Sequence, residues 1–183
     1  DGKEDTLSPH IVNFVGEELS KEEKIRINMV NDPLLMDGSI YTLTINGRDL
    51  ASNDSDPIIV SNILFDTTPP SFSNIAPDSG SALNHQRISY SVSEDLFKGE
   101  VIWIQTGGKD DPDAPHKVAF SNEELNFGDH VGIDLVNMPR LMDGAIYTIL
   151  FTGSDRAGNI ADTISVSDVL YDFTTPKIFV NYP

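Results

Sequence analysis

Asp37, Asp66, Glu94, Asp95, Asp155 and Asn159 are oxygen donors in segments that read as loops and linkers, the residue types that hold a hard cation. Carboxylates gathered in one place repel one another unless a cation joins them, and calcium accepts about six to eight oxygen ligands in flexible geometry. Asp and Asn are equally the residues that cap their own backbone in turns, and acidic loops on an acidic protein need no metal. Both readings stand at the level of the sequence. A further acidic run, Asp110-Asp111-Pro112-Asp113, has no obvious convergent partner and reads as a solvated loop. His10 and His116 each follow a proline, and a histidine without matched ligands reads as loop packing rather than a transition-metal site. The Gly-x-Ser-x-Gly, His-Glu-x-x-His, phosphate-loop and dinucleotide patterns are absent, so the chain is expected not to be an enzyme.

Charge narrows the partners. The 183 residues carry 12 Lys+Arg against 29 Asp+Glu, a formal charge of -17. Affinity for phosphate backbones comes largely from Lys and Arg releasing counterions, so nucleic acid is not an expected partner and cations are. Hydrophobic residues make up 39%, which suits a globular chain, and no apolar run approaches the ~18 residues of a membrane span. With no cysteine, disulfides, thiolate zinc sites and cysteine nucleophiles are excluded together.

The elements that must position the acidic residues are set by a duplication. Leu35-Met-Asp-Gly-Ser-Ile-Tyr-Thr42 returns as Leu141-Met-Asp-Gly-Ala-Ile-Tyr-Thr148, an offset of 106. The same offset pairs Pro9-His10 with Pro115-His116, Glu17-Glu18-Leu19 with Glu123-Glu124-Leu125, Asp49 with Asp155 and Asp66 with Asp172, and roughly 40% of the overlapping positions are identical. The expected organisation is the C-terminal part of a first repeat at 1–68, without its first three strands, a complete repeat at 69–174, and the first strand of a following repeat at 175–183. That phase fits either a window on a longer tandem array or a subunit whose first copy is completed by strands from a neighbour.

Short alternating runs rich in Ile, Val, Tyr, Phe and Thr predict strands at Ser71–Ile75, Arg87–Ser93, Glu100–Thr106, Lys117–Phe120, His130–Val136, Ala145–Thr152 and Thr163–Tyr171. Seven short strands in about 100 residues is the count of an immunoglobulin-like sandwich. Only Ser121–Leu125, with Ser ahead of glutamates, reads as a single helical turn. Alternation puts Ile88, Tyr90 and Val92 on one face, and Val101, Trp103 and Gln105 on one face of the next strand, which makes Trp103 a core residue rather than a sugar-stacking one. Tyr41 and Tyr147, in Leu-x-Asp-Gly-x-Tyr, resemble the tyrosine corner, in which the hydroxyl turns back onto upstream backbone.

Asp155-Arg-Ala-Gly-Asn159 and Phe65-Asp-Thr-Thr-Pro-Pro70 resemble the F–G loop and linker of the bacterial immunoglobulin-like, cadherin-like tandem repeats of large cell-surface and secreted proteins. The first copy departs from the loop pattern, with Asp49-Leu-Ala-Ser-Asn53, and the second linker reads Asp172-Phe-Thr-Thr-Pro176. The resemblance implies an all-β fold of tandem Greek-key sandwiches at the cell surface or outside the cell, with neighbouring repeats, and further copies of the chain, as partners.

Strand direction places the loop with Glu94 and Asp95, and the loop with Asp155 and Asn159, at the pole from which the linker with Asp66 enters. Asp37 lies at the opposite pole of the preceding copy and is placed to join from that side. Calcium there would bind one relative orientation of two domains and so stiffen the array. The function expected is a stalk, spacer or adhesive filament. The alternatives are a fibre subunit completed by strand exchange and a carbohydrate-binding module.

Overall fold

The computed structural model describes residues 2–20, 23 and 28–180. Its regular structure is strand throughout, apart from two single 3-10 turns among the described residues, so the fold is all-β. None of the described residues forms a helix long and apolar enough to cross a membrane. The chain divides into two compact units, Asp1–Thr68 and Pro69–Pro183.

The first unit has a 3-10 turn at Gly16–Leu19 and an antiparallel pair, β1 (Ser39–Ile45) and β2 (Ile58–Phe65). Ser39 pairs with Phe65 and Ile45 with Ile58, with a bulge between Tyr41 and Leu43.

The second unit holds β3 (Phe72–Ala76), β4 (Ala82–Leu83), β5 (Ile88–Val92), β6 (Lys98–Gly108), β7 (His116–Ala119), β8 (Gly128–Ile133), β9 (Ala145–Ser154) and β10 (Ile164–Tyr171). They make a three-stranded sheet, β3-β5-β8, and a five-stranded sheet, β4-β10-β9-β6-β7. Every pairing is antiparallel except that of β4 with β10. Period-2 alternation is clearest in β5, β6 and β9, whose apolar sides are buried between the sheets. Ile88, Tyr90 and Val92 of β5 meet Val101 and Trp103 of β6 and Tyr147, Ile149 and Phe151 of β9 in one core. Fully burying such side chains contributes about 1.5–3 kcal/mol each. Phe72 crosses the sheets to Phe151, with ring centres 6.3 Å apart, and Trp103 meets Tyr147 edge-on at 6.0 Å. The Trp103 indole is wholly buried, which settles it as core, and its Nε1 has no hydrogen-bond partner.

The seven strands expected of this unit are present with ends shifted by a few residues, and the turn at Ser121 is a 3-10 turn, Asn122–Leu125. Glu124 closes it: one carboxylate oxygen accepts the Ser121 amide at 2.7 Å and the other the Val136 amide at 2.7 Å. Glu18 binds Val15 and Val30 in the same way, both at 2.7 Å.

Three expectations are corrected or left open, two for the first copy and one for the end of the chain. Residues 11–14, the counterparts of the predicted strand at Lys117–Phe120, form no strand. In the second unit that strand is β7, which pairs only with β6, and no described strand of the first unit stands in the place of β6. The counterpart of the predicted strand at His130–Val136 falls largely outside the described residues. Of the segment read as an opening strand at 175–183, residues 175–180 form no strand and the rest lies outside the described residues.

Candidate functional site

Asp155 follows β9 in the loop to β10 and is almost completely buried. Its Oδ1 accepts the amides of Gly158 at 2.7 Å and Asn159 at 2.9 Å, and its Oδ2 accepts the Asn159 side-chain amide at 2.7 Å. Burial pushes this carboxyl up, but the bonds from Asn159 and Gly158 more than offset that and keep it below the usual carboxylate range. The group is therefore an anion at neutral pH. The loop repeats in the first unit, where Asp49 accepts Ala51 and Asn53 amides at 2.9 and 2.8 Å and the Asn53 side chain at 2.9 Å. In the second unit the turn is completed by Gly158 at φ +98°, and in the first by Ser52 at φ +70°. Asp-x-Ala-Gly-Asn is thus a self-contained turn whose first residue ties down the next four.

Glu94, in the loop from β5 to β6, brings a carboxylate oxygen within 4.8 Å of one of Asp155. A carboxylate oxygen has two acceptor positions, so the Asn159 bond does not saturate Asp155 Oδ2. Two anions at this spacing gain from a shared cation. Asp95, next along, goes elsewhere: its Oδ1 accepts the Phe127 amide at 2.7 Å, and it lines a cleft of about 430 Å³ with Leu96, Leu125 and Arg156.

Asp66 ends the first unit just after β2, and its Oδ1 accepts the Thr68 amide at 3.0 Å. Asp37, expected as a cation ligand, spends both oxygens on the linker of its own unit. Its Oδ1 accepts the Thr67 amide at 2.7 Å and the Thr67 hydroxyl at 2.9 Å, and its Oδ2 accepts the Thr68 hydroxyl at 2.9 Å. Those bonds, the Thr67 amide foremost, hold the Asp37 carboxyl down to about 2. Asp143 repeats the arrangement on Phe173 and Thr174, at 2.8 and 2.7 Å.

The acidic run at 110–113 is more than a solvated loop. Asp111 is buried, and its Oδ2 lies 2.7 Å from His116 Nε2 and accepts the Tyr147 hydroxyl at 2.5 Å. The Tyr147 oxygen in turn accepts the Met142 amide at 2.9 Å, five residues upstream, which is the bond a tyrosine corner requires. Burial pushes the Asp111 carboxyl up, and the bonds from His116 and Tyr147 bring it below its ordinary value. Asp5, His10, Tyr41 and Met36 form the same network, with Asp5 held down to about 2 by Tyr41 and His10. The two histidines therefore have a matched partner in each copy, an aspartate five residues upstream. Both pairs stand at the 106 offset and were readable from it.

No protein-family model matches the chain, and no curated protein matches it either.

Proposed function

We propose that the chain is a structural segment of an extracellular tandem array of immunoglobulin-like Greek-key sandwiches, a stalk, spacer or adhesive filament of a bacterial surface, whose linkers calcium stiffens. The sheet orders support the fold reading, since they correspond to strands A-B-E facing A′-G-F-C-C′ of such a sandwich. The observation that carries the calcium reading is the approach of Glu94 and Asp155 from two loops to within 4.8 Å, with Asp155 kept anionic. Asn159 shares that loop, and Asp66 stands three residues before Pro69, where the second unit begins. These four supply the ligands, with water completing the shell. Asp95 and Asp37, the other two residues expected at the site, carry hydrogen bonds of their own, Asp95 from the Phe127 amide and Asp37 from Thr67 and Thr68. The prolines of Thr67-Thr-Pro-Pro70 fix φ and limit hinge freedom, so the role is mechanical rather than catalytic.

Thermal unfolding of the chain in calcium, in excess EDTA and in magnesium tests this. Calcium at about a thousandfold above its dissociation constant should stabilise the fold by roughly 4 kcal/mol. Equal melting in all three solutions would remove the cation and leave proline and the Asp37 bonds as the sources of stiffness.

A further inference from the structure

The core-side face of the β1–β2 pair is open where the same face of the second unit is covered. Leu43 is 48% exposed and Val60 46%, whereas their counterparts 106 residues on, Ile149 and Val166, are 0% and 6% exposed. Along β9, the counterpart of β1 at that offset, β6 pairs from Lys98↔Ser154 to Gly108↔Ala145, while among the described residues β2 is the one strand beside β1. The first rung of that edge is already in place, because Lys3 donates to the Gly38 carbonyl at 2.8 Å just as Lys109 donates to that of Gly144.

We infer that this face and the outer edge of β1 bind an extended polypeptide patterned like residues 69–108, whose β6-like strand runs antiparallel along residues 41–48. The register follows from the offset: the residue equivalent to Val101 falls opposite Ile45, and that equivalent to Trp103 opposite Leu43. The β5-like part then lays its Ile, Tyr and Val positions over Leu43, Val60 and Ile63, as Ile88, Tyr90 and Val92 do in the core of the second unit. Main-chain bonds at the edge give affinity, and the alternate apolar side chains give register. The occupant is not β6 of a second folded copy. That strand is paired on both edges, and its Val101 and Trp103 are fully buried.

The test is hydrogen exchange of the full chain with a synthetic peptide of the sequence of residues 69–108. One peptide per chain is expected, with at least tenfold slower exchange at residues 41–46 and no change in β9. Leu43→Lys in the chain should weaken binding at least tenfold. Trp103→Lys in the peptide should do the same without any risk to the folding of the chain. The inference is overturned if saturating peptide leaves residues 41–46 unprotected, or if the two lysine variants bind as well as the originals. It is also overturned if the chain alone protects these residues while forming a dimer by light scattering, since the occupant is then a second copy.

Discussion

Asp37 and Thr67 are 30 residues apart in sequence and are joined twice, through the Thr67 amide at 2.7 Å and its hydroxyl at 2.9 Å. A carboxylate in the turn before β1 thereby holds the chain that leaves β2, and Thr68 adds a third bond at 2.9 Å. The segment that leaves β2 is thus tied to its own unit by three hydrogen bonds to one carboxylate. The proposed calcium ligands and this latch use different carboxylates, so their contributions are separable by experiment.

The latch has a pH signature. The folded Asp37 carboxyl titrates at about 2, against an ordinary 3.8, so the stability it contributes is complete above the ordinary value and is lost as pH falls through about 2. Following the Asp37 side-chain carbon by NMR should give a midpoint near 2, with the Thr67 amide losing its exchange protection over the same interval. In Asp37→Asn the Thr67 amide should show no such titration. A midpoint at 3.8 would mean that the bonds do not persist in solution.

The left-handed position in the acidic turn is filled by Gly158 in one unit and Ser52 in the other. A side chain at Gly158 would meet nothing within 4 Å, so the cost of Gly158→Ser is that of the backbone alone, about 1–2 kcal/mol. Ser52→Gly should do the reverse on a smaller scale, about 0.5 kcal/mol, since glycine also gains freedom in the unfolded chain. Denaturant unfolding of the two variants measures both changes, and equal effects of the same sign would contradict the assignment.

Tyr147→Phe removes a hydroxyl that accepts from Met142 and donates to Asp111 inside the second unit. Leaving a part-buried amide and a buried carboxylate short of a partner costs about 1–3 kcal/mol. Tyr41→Phe deletes the same bonds in a more exposed setting and should cost less, because water replaces them. Comparing the melting of the two variants reads the difference, and a larger loss at Tyr41 would reverse the argument.

The central strands of the second unit were legible because they alternate visibly, as Ile88-Ser-Tyr-Ser-Val92 does. β4 was not, since Ala82-Leu83 is two residues long and has no alternation to read. The tyrosine corner was legible from Leu-x-Asp-Gly-x-Tyr, and the recurrence of Asp5 and His10 as Asp111 and His116 was there to be read, but not their contact with the tyrosine, which depends on the path of the loop between β6 and β7. Asp37 was legible as important, but its bonds to Thr67 and Thr68 were not: sequence marks a recurring carboxylate without saying which amides and hydroxyls will reach it. The departure at Ser52 was visible, while the torsion that gives it a cost was not.

Asp155→Asn separates the two tasks of the acidic turn. The amide keeps an oxygen to accept from Gly158 and Asn159, but its nitrogen then faces the Asn159 side-chain nitrogen that now donates to Oδ2 at 2.7 Å. In EDTA that conflict should lower stability by about 1–3 kcal/mol, because the position is buried and one donor loses its acceptor. The same change removes the charge that faces Glu94, so the stabilisation by calcium should vanish on top of the loss seen in EDTA. Asp49→Asn, in the turn of the first unit, should show the EDTA effect more weakly and leave the calcium increment intact. If Asp155→Asn melts lower in EDTA but keeps the full calcium increment, the turn is structural only and the cation is held elsewhere.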